Sequence, residues 1–275
     1  MLKLLLATQI EQVSAYMDEQ MAAHIGRGQI NKIESYPHLH LISFDWYDII
    51  NKDAKPAQII IYFTSENIFF LCEGERCLTN VKQMVKEEPV NEKILHSFFA
   101  ELIKNDIDYL EELEDRITDT EDELLTVSKR ACAEVIISFR RELLRLKRYY
   151  EQLNQIFEGL TENENRLIPP EDVRYFRMLY NKIDRLFSHV LNLRDYVTQV
   201  REAYQAQIDI EQNKLMKVFT VVTAIFLPLT LIVGWYGMNL EMPEFSWSYG
   251  YAFVIMLSIS VVIFCIFFFK HRKWF

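Results

Sequence analysis

Two long apolar segments near the C-terminus constrain the fold of this chain most. They run from Leu215 to Tyr236 and from Tyr249 to Phe269. Each has about 21 residues, which is enough for an α-helix to cross a hydrocarbon layer about 30 Å thick. Because only residues 237–248 separate them, the sequence predicts two transmembrane helices, 215–236 and 249–269, joined by a short loop.

The charges that flank these segments predict their orientation. Basic residues lie at the start of the first segment, at Lys214 and Lys217, and after the second, at Lys270, Arg272 and Lys273. The loop contains Glu241 and Glu244 but neither Lys nor Arg. Since basic flanks stay on the cytoplasmic side, we expect both termini, including the basic tail 270–275, to be cytoplasmic. The loop would then lie on the outer side of the cell (inner) membrane.

The part of the chain before the hairpin is strongly acidic. The whole chain has a formal net charge of −9, and the part from Lys214 onward has +3, which leaves −12 on the preceding residues. Such a domain disfavours nucleic acid and attracts cations, although the same charge also keeps a domain soluble. With 7 glycines, no glycine-rich phosphate loop, no nucleophile motif and no C-x-x-C pair, the sequence predicts neither an enzyme nor a resident cofactor.

Residues 1–90 predict a small cytosolic α/β domain. Alternating and β-branched runs predict strands, and apolar periodicity predicts helices. The predicted strands are 38–45, 57–64 and 67–72, and the predicted helices lie near 8–23 and 77–87. Residues 91–168 contain two long proline-free segments, which predict antiparallel helices over 91 to about 118 and about 120 to 158.

These two helices have opposite charge. Between Asp106 and Glu123 there are ten acidic residues and one Arg, whereas between Lys129 and Arg148 there are seven basic and two acidic residues. Folded back on each other, the helices could set these blocks partly face to face. Two interpretations of the acidic block stay open, a cation-concentrating surface near a pore mouth and a solvated helix face.

The segment 169–214 predicts a stalk helix that continues into the first transmembrane segment. Pro169 and Pro170 suit a helix start, and the next proline is Pro228. Apolar residues follow a heptad repeat, which predicts a packed seam within or between subunits. The two series are Phe176, Ile183, Val190, Val197 and Tyr204, and Leu179, Leu186, Leu193 and Val200. The fold class predicted is therefore an α+β membrane protein.

The two transmembrane segments differ in polarity. The second is apolar all round, whereas the first has a stripe with spacing of three and four: Asn213, Met216, Thr220, Thr223, Leu227, Thr230 and Gly234. Small and hydroxylated residues suit close helix contact and also a water-lined path. Two segments cannot enclose an aqueous path, so a pore would need several copies. Between Val218 and Phe269 the loop glutamates are the only charged residues in the sequence, which argues against a proton relay or a buried ion pair.

The hairpin resembles the CorA-type divalent-cation channels, the two-transmembrane G-x-N metal ion transporters. The resemblance depends on Tyr236-Gly237-Met238-Asn239, Met242-Pro243-Glu244, the segments 216–220 and 225–230, and the basic tail Lys270 to Trp274. It implies a homopentameric funnel in the lipid membrane that conducts hydrated Mg²⁺ inward, with Co²⁺ and Ni²⁺ as substitutes. Mg²⁺ is then the transported ion, and the partners are further copies of the chain and membrane lipids.

The resemblance also implies roles for individual residues. The selectivity loop would be Gly237, Met238 and Asn239, with Glu241 and Glu244 attracting cations outside it. The pore would be lined by Gly234, Thr230, Thr223, Thr220 and Asn213. Leu227, Met216 and Phe219 would form apolar constrictions, and Glu202 would lie at the inner mouth.

One position departs from the family pattern. The family places a magnesium-sensing Asp after Tyr-Phe-Arg early on the stalk, and here Tyr175-Phe176-Arg177 is followed by Met178. Regulation by cytosolic Mg²⁺ at that position is therefore not expected, unless Asp172, Asp184 or the acidic helix substitutes. Two further hypotheses stay open: the same architecture serving Zn²⁺, Co²⁺ or Ni²⁺ with proton coupling, and a membrane-anchored helical scaffold that conducts nothing.

Overall fold

A computed structural model describes residues 1–27, 30–49, 54–123, 129–238 and 247–272. It divides into two compact units, Met1–Arg201 and Glu202–Phe275. The strands are β1 (Leu2–Leu6), β2 (Ile33–Tyr36), β3 (Leu39–Trp46), β4 (Ala57–Phe63) and β5 (Ile68–Cys72). The α-helices are α1 (Glu19–Gly26), α2 (Glu75–Met84), α3 (Asn91–Leu102), α4 (Asp106–Glu123), α5 (Lys129–Glu162), α6 (Pro170–Tyr236) and α7 (Gly250–His271).

The first unit is built on a five-stranded sheet of order β1-β5-β4-β3-β2. β1 is parallel to β5, and the other neighbours are antiparallel. All residues of β5 are buried, as are nearly all of β3, because both faces of the sheet are covered. This mixed sheet with helices confirms the predicted α/β character of the N-terminal part.

Each face of the sheet has its own core. On one face, Leu41, Tyr62 and Phe69 pack with Val13 and Ile25 from the N-terminal helical segments. The other face holds an aromatic cluster that includes α3 and α5. Its ring centroids lie 5.9 Å apart for Phe44 and Phe99, 4.9 Å for Phe70 and Phe98, and 4.9 Å for Phe99 and Phe157.

Three differences from the predicted elements have local causes. The sequence did not reveal β1 and β2, two short strands at the edges of the sheet. The helix predicted over 8–23 is two 3₁₀ segments, Ala7–Gln12 and Ser14–Tyr16, followed by α1. The Asp18 side chain caps α1 by accepting the Gln20 N–H at 3.3 Å, which fixes the start of this helix.

The third difference is a break between α3 and α4, in a segment predicted as one helix. The Lys182 side chain from α6 donates a hydrogen bond of 3.0 Å to the Ile103 carbonyl. At the start of α4, the Tyr150 hydroxyl donates to the Asp106 carboxylate at 2.9 Å. Since the helix ends need partners for their free polar groups, residues distant in sequence stabilise this break.

The heptad repeat of α6 forms a core inside the first unit. Its eight positions from Phe176 to Val200 are buried: Phe176, Leu179, Ile183, Leu186, Val190, Leu193, Val197 and Val200. Phe176 contacts Phe157 of α5, with ring centroids 6.4 Å apart. His189 lies 2.9 Å from Glu114 of α4. The structure therefore places the seam within one subunit, whereas the sequence alone left that open.

The charge blocks of α4 and α5 are arranged differently from the face-to-face expectation. An ion pair between the two helices joins Arg116, the one basic residue of the α4 block, to the buried Glu142 of α5, at 3.9 Å. Much of the acidic block is exposed: Asp108, Glu111, Glu112, Glu114, Asp115, Asp119 and Asp122. The carboxylates therefore form mainly a solvent-exposed face, which is compatible with both interpretations.

Asp106 makes the stability of the first unit depend on pH. Burial raises the pKa of its carboxyl from 3.8 to about 6, against the opposing effects of the Tyr150 hydroxyl and of Lys182. The folded state therefore holds this proton more tightly than the unfolded chain. The stabilising contribution is fully present below about pH 4 and is lost as the pH rises through about 6.

We expect Asp106→Asn to remove this dependence, because its amide oxygen still accepts the Tyr150 hydrogen bond without a buried charge. The variant should be more stable than the wild type by up to about 3 kcal/mol above pH 7 and not below pH 4. Thermal unfolding in detergent at several pH values measures the effect. The exposed neighbour Asp108→Asn is the control, and equal pH profiles for wild type and Asp106→Asn would contradict the prediction.

Candidate ion-conducting site

In the second unit, one face of α6 packs against α7. Val221 is buried, and the half-buried residues around it are Ala224, Ile225, Pro228, Leu229, Ile232 and Tyr236. α7 contributes a matching row: Val254, Ser258, Val261, Val262, Cys265 and Phe269. The spacing of three and four in both rows is that of a helix-helix seam. The Cys265 sulfur lies 3.7 Å from the Ala224 carbonyl oxygen.

The predicted polar stripe lies on the other side of α6. All seven stripe residues from Asn213 to Gly234 are exposed, and Leu227 is 71% and Met216 64% exposed. At about 100° per residue, the centre of the stripe lies about 150° around the helix from the α7 seam. The single chain therefore leaves this face uncovered. Phe219, at its edge, is 67% exposed.

The hydroxyl groups of the three stripe threonines donate hydrogen bonds to backbone carbonyls of α6. Each hydroxyl donates to the carbonyl four residues earlier at 2.8 Å: Thr220 to Met216, Thr223 to Phe219 and Thr230 to Phe226. The hydroxyl oxygens keep their lone pairs directed away from that bond. The stripe thus presents hydrogen-bond acceptors, which suit the outward-pointing hydrogens of a cation's water shell.

Gly237 determines how the C-terminal end of α6 is formed. Its N–H donates to the Val233 carbonyl at 2.9 Å. A Cβ atom at this position would lie 2.9 Å from the same carbonyl oxygen, whereas a Cβ at Gly234 would meet nothing within 4 Å. A side chain at 237 therefore forces the backbone to shift. Aromatic rings lie at the same end of the hairpin, as is typical of a membrane interface: Trp235, Trp247 and Tyr249 are exposed.

The described residues include only part of the predicted site. The structure places Gly237 and Met238 at the end of α6, and Glu202 as an exposed residue about three turns before Asn213. Asn239, Glu241 and Glu244 lie outside the described residues, so their roles stay predictions. Among the described residues, no three His, Cys, Asp or Glu side chains are grouped so that they could hold a metal ion.

The position where the family pattern expects a carboxylate is an apolar surface residue. Met178 is 67% exposed. Of the carboxylates considered as substitutes, Asp184 is exposed. Asp172 lines a cavity of about 260 Å³ with Glu88, Glu92 and His96, where burial lowers the pKa of His96.

Sequence reasoning missed two features of the hairpin. It did not reveal that the threonine hydroxyls bond to their own helix, although threonine inside a helix commonly does so. It also did not reveal the contact between Cys265 and Ala224. Pro228 was a signal for the second, because a proline inside a helix leaves a carbonyl without its usual partner.

The chain thus combines an α/β unit with two exposed helices long and apolar enough to cross a membrane, an arrangement typical of an integral membrane protein. The particular family follows from comparison with known proteins. The model of the CorA-like Mg²⁺ transporter proteins matches residues 25–271, so the chain belongs to this family, whose members are membrane transporters.

Individual relatives agree in sequence and in fold. The chain is 31% identical over 182 residues to the cobalt/magnesium transport protein CorA of Thermotoga maritima, a match that covers 66% of this chain but 52% of that protein. It is 24% identical to the putative metal ion transporter YfjQ of Bacillus subtilis, covering 88% and 81%. Against the Thermotoga relative, the matched segment thus spans about half of that relative's length.

The fold matches a complete solved structure. The CorA magnesium transporter from Methanocaldococcus jannaschii superimposes with a TM-score of 0.79 at 20% identity, and the match covers 99% of this chain and 90% of that chain. At this identity the likeness establishes the fold. It confirms the predicted order of a sheet-containing N-terminal part, a long helix 170–236 and a C-terminal apolar helix.

Gly237→Ala should disturb the C-terminal end of α6. The added Cβ must move away from the Val233 carbonyl, and we expect a loss of about 1–2 kcal/mol in stability. Gly234→Ala is the matched control, since its Cβ meets no neighbour in the single chain and alanine favours the helix by about 1 kcal/mol. Unfolding midpoints in detergent measure both. A wild-type midpoint for Gly237→Ala would contradict the crowding at this position.

Proposed function

We propose that this chain forms a homopentameric channel that conducts hydrated Mg²⁺ into the cell, with Co²⁺ and Ni²⁺ as substitutes. The observation that supports this function best is the stripe of hydrogen-bond acceptors on the α6 face that α7 leaves uncovered. The protein performs no covalent chemistry, because transport requires only that the ion with its water shell be bound weakly and released.

The uncovered stripe favours assembly of several copies. Hydroxyl and amide groups are costly against lipid, so such a face turns towards other helices or towards water. Two helices per chain enclose no aqueous path, whereas copies related by a rotation axis can direct their stripes towards that axis. The number five comes from the resemblance to the family.

The chemistry of the stripe suits a hydrated ion. Mg²⁺ loses its waters reluctantly and is usually bound through them. The threonine acceptors along the stripe bind the hydrogens of those waters. The sequence from Val218 to Tyr236 has no charged residue, which avoids a deep trap for the ion. Leu227 and Met216, with Phe219 beside them, provide apolar constrictions where the path can close by losing water.

The residues at the two ends of the pore are assigned roles from their positions in the sequence. Asn239 presents its amide oxygen to the arriving ion, with Gly237 and Met238 shaping the loop. Glu241 and Glu244 raise the local cation concentration outside. Glu202 has the corresponding role at the cytoplasmic side. Both termini lie in the cytoplasm, so the membrane potential drives the cation inward.

The relatives support the choice of ion. The Thermotoga maritima protein is a cobalt/magnesium transport protein. A protein from Haemophilus ducreyi that is 34% identical to this chain is a magnesium transport protein. The Haemophilus match covers 50% of each chain.

Asn239→Ala tests the function directly. Removing a polar contact worth about 1.4 kcal/mol of the transport barrier lowers the rate about tenfold, so Mg²⁺ influx into proteoliposomes should fall at least that far. Asn192→Ala, an exposed residue of the first unit, is the matched control and should keep wild-type influx. Mass measurement in detergent should show five copies.

Other results of this experiment decide between functions. Influx of Zn²⁺ without Mg²⁺ would overturn the ion assignment. Correctly inserted wild-type protein that passes no divalent cation would overturn conduction altogether and favour the scaffold hypothesis.

Thr230→Val tests the stripe independently of the loop. Valine keeps the shape of threonine and removes the acceptor, so Mg²⁺ influx should fall about two- to tenfold, the range of one hydrogen bond. Thr230→Ser should retain influx. Ser260→Ala is the control on α7, because Ser260 makes the same type of bond, to the Met256 carbonyl at 2.8 Å. Equal influx for Thr230→Val and wild type would exclude a role for this hydroxyl.

A further inference from the structure

Pro228 leaves one carbonyl of α6 without its usual partner. Proline has no N–H, so residue 228 donates nothing to the carbonyl of Ala224, four residues earlier. The helix nevertheless continues on both sides, from Pro170 to Tyr236. Ala224 lies within the first apolar segment, where no bulk water replaces the missing donor. An unsatisfied carbonyl there is strongly unfavourable.

Cys265 of α7 supplies a donor at this position. Its sulfur lies 3.7 Å from the Ala224 oxygen, a suitable length for a hydrogen bond that involves sulfur. Because a carbonyl only accepts, the thiol is the donor of this bond. Cys265 is half-buried on the row of α7 residues that faces α6, so packing of the two helices holds the thiol in place.

Five hydroxyl groups of the hairpin behave differently from the Cys265 thiol. Thr220, Thr223 and Thr230 donate to their own helix on the opposite face of α6. Ser258 and Ser260 likewise donate within α7. The Cys265 bond instead joins two helices, and it does so at the carbonyl that proline has released.

We propose that Cys265 is a positioning residue for transport, whose thiol replaces the donor that Pro228 lacks and thereby ties α7 to the proline break in α6. Proline weakens a helix at the preceding turn and permits a bend. A donor from α7 restrains that bend. It therefore sets the direction of the outer part of α6, which carries Thr230, Gly234 and Gly237.

The expected effect of this bond on Mg²⁺ flux rests on the proposed transport function. The hydrogen bond itself does not depend on that function. A packing role alone is the competing explanation, since cysteine is also a small apolar residue. The two explanations differ in what they predict when residue 228 regains its N–H.

A double-mutant cycle with Pro228→Ala separates them. In the wild-type background, Cys265→Val should lower Mg²⁺ influx about two- to fivefold, the range of one weak hydrogen bond, and lower the unfolding midpoint. Cys265→Ser should retain both. In the Pro228→Ala background, Cys265→Val should have a clearly smaller effect, because the Ala224 carbonyl then has a donor in its own helix. Equal losses in both backgrounds would overturn the proposal in favour of packing.

Infrared spectroscopy of the S–H stretch supplies a readout that packing does not change. The difference spectrum between wild type and Cys265→Val isolates the Cys265 band from those of the other three cysteines. Its frequency should rise in the Pro228→Ala background, because the acceptor is then shared with a backbone N–H. An unchanged band would contradict the bond. If wild-type protein carries no Mg²⁺, the proposed function fails, while the infrared and unfolding results still decide the role of Cys265.

Discussion

Polar groups inside a hydrocarbon layer must find partners within the protein, and much of the hairpin follows from that constraint. The threonine hydroxyls on one face of α6 donate to carbonyls of their own helix. On the opposite face, the Ala224 carbonyl released by Pro228 lies next to the Cys265 thiol. The threonine bonds leave oxygen lone pairs on the uncovered face, whereas the thiol contact lies on the face that α7 covers. The same helix is thus stable in lipid and presents acceptors that suit a hydrated cation.

The long helix α6 meets two different requirements along its length. From Phe176 to Val200 its apolar residues are buried at every heptad position, so water-driven burial stabilises that part within the first unit. From Asn213 onward lipid removes this driving force, and small or hydroxylated residues take the place of large buried ones. One continuous helix thus changes the chemistry of its contacts without changing its backbone structure.

The accuracy of the sequence predictions varied with the range of the interactions involved. β3, β4 and β5 were predictable because buried strands have continuous apolar and β-branched runs. β2 was missed because it is an edge strand of 4 residues, none of them buried. β1 was missed because it depends on pairing with a strand distant in sequence, with Leu2 opposite Ile68. The break between α3 and α4 was missed for a similar reason, since Lys182 of α6 binds the Ile103 carbonyl from 79 positions away.

The sequence by itself determined the two spans, the heptad of α6, the threonine stripe and the resemblance to the CorA-type channels, because periodicity and local motifs are properties of neighbouring residues. Tertiary structure alone decided which face of α6 α7 covers, that the heptad packs within one subunit, that Met178 is exposed, and which group lies beside the Ala224 carbonyl. A repeat shows that a helix has a face to bury, but only the folded chain supplies the partner.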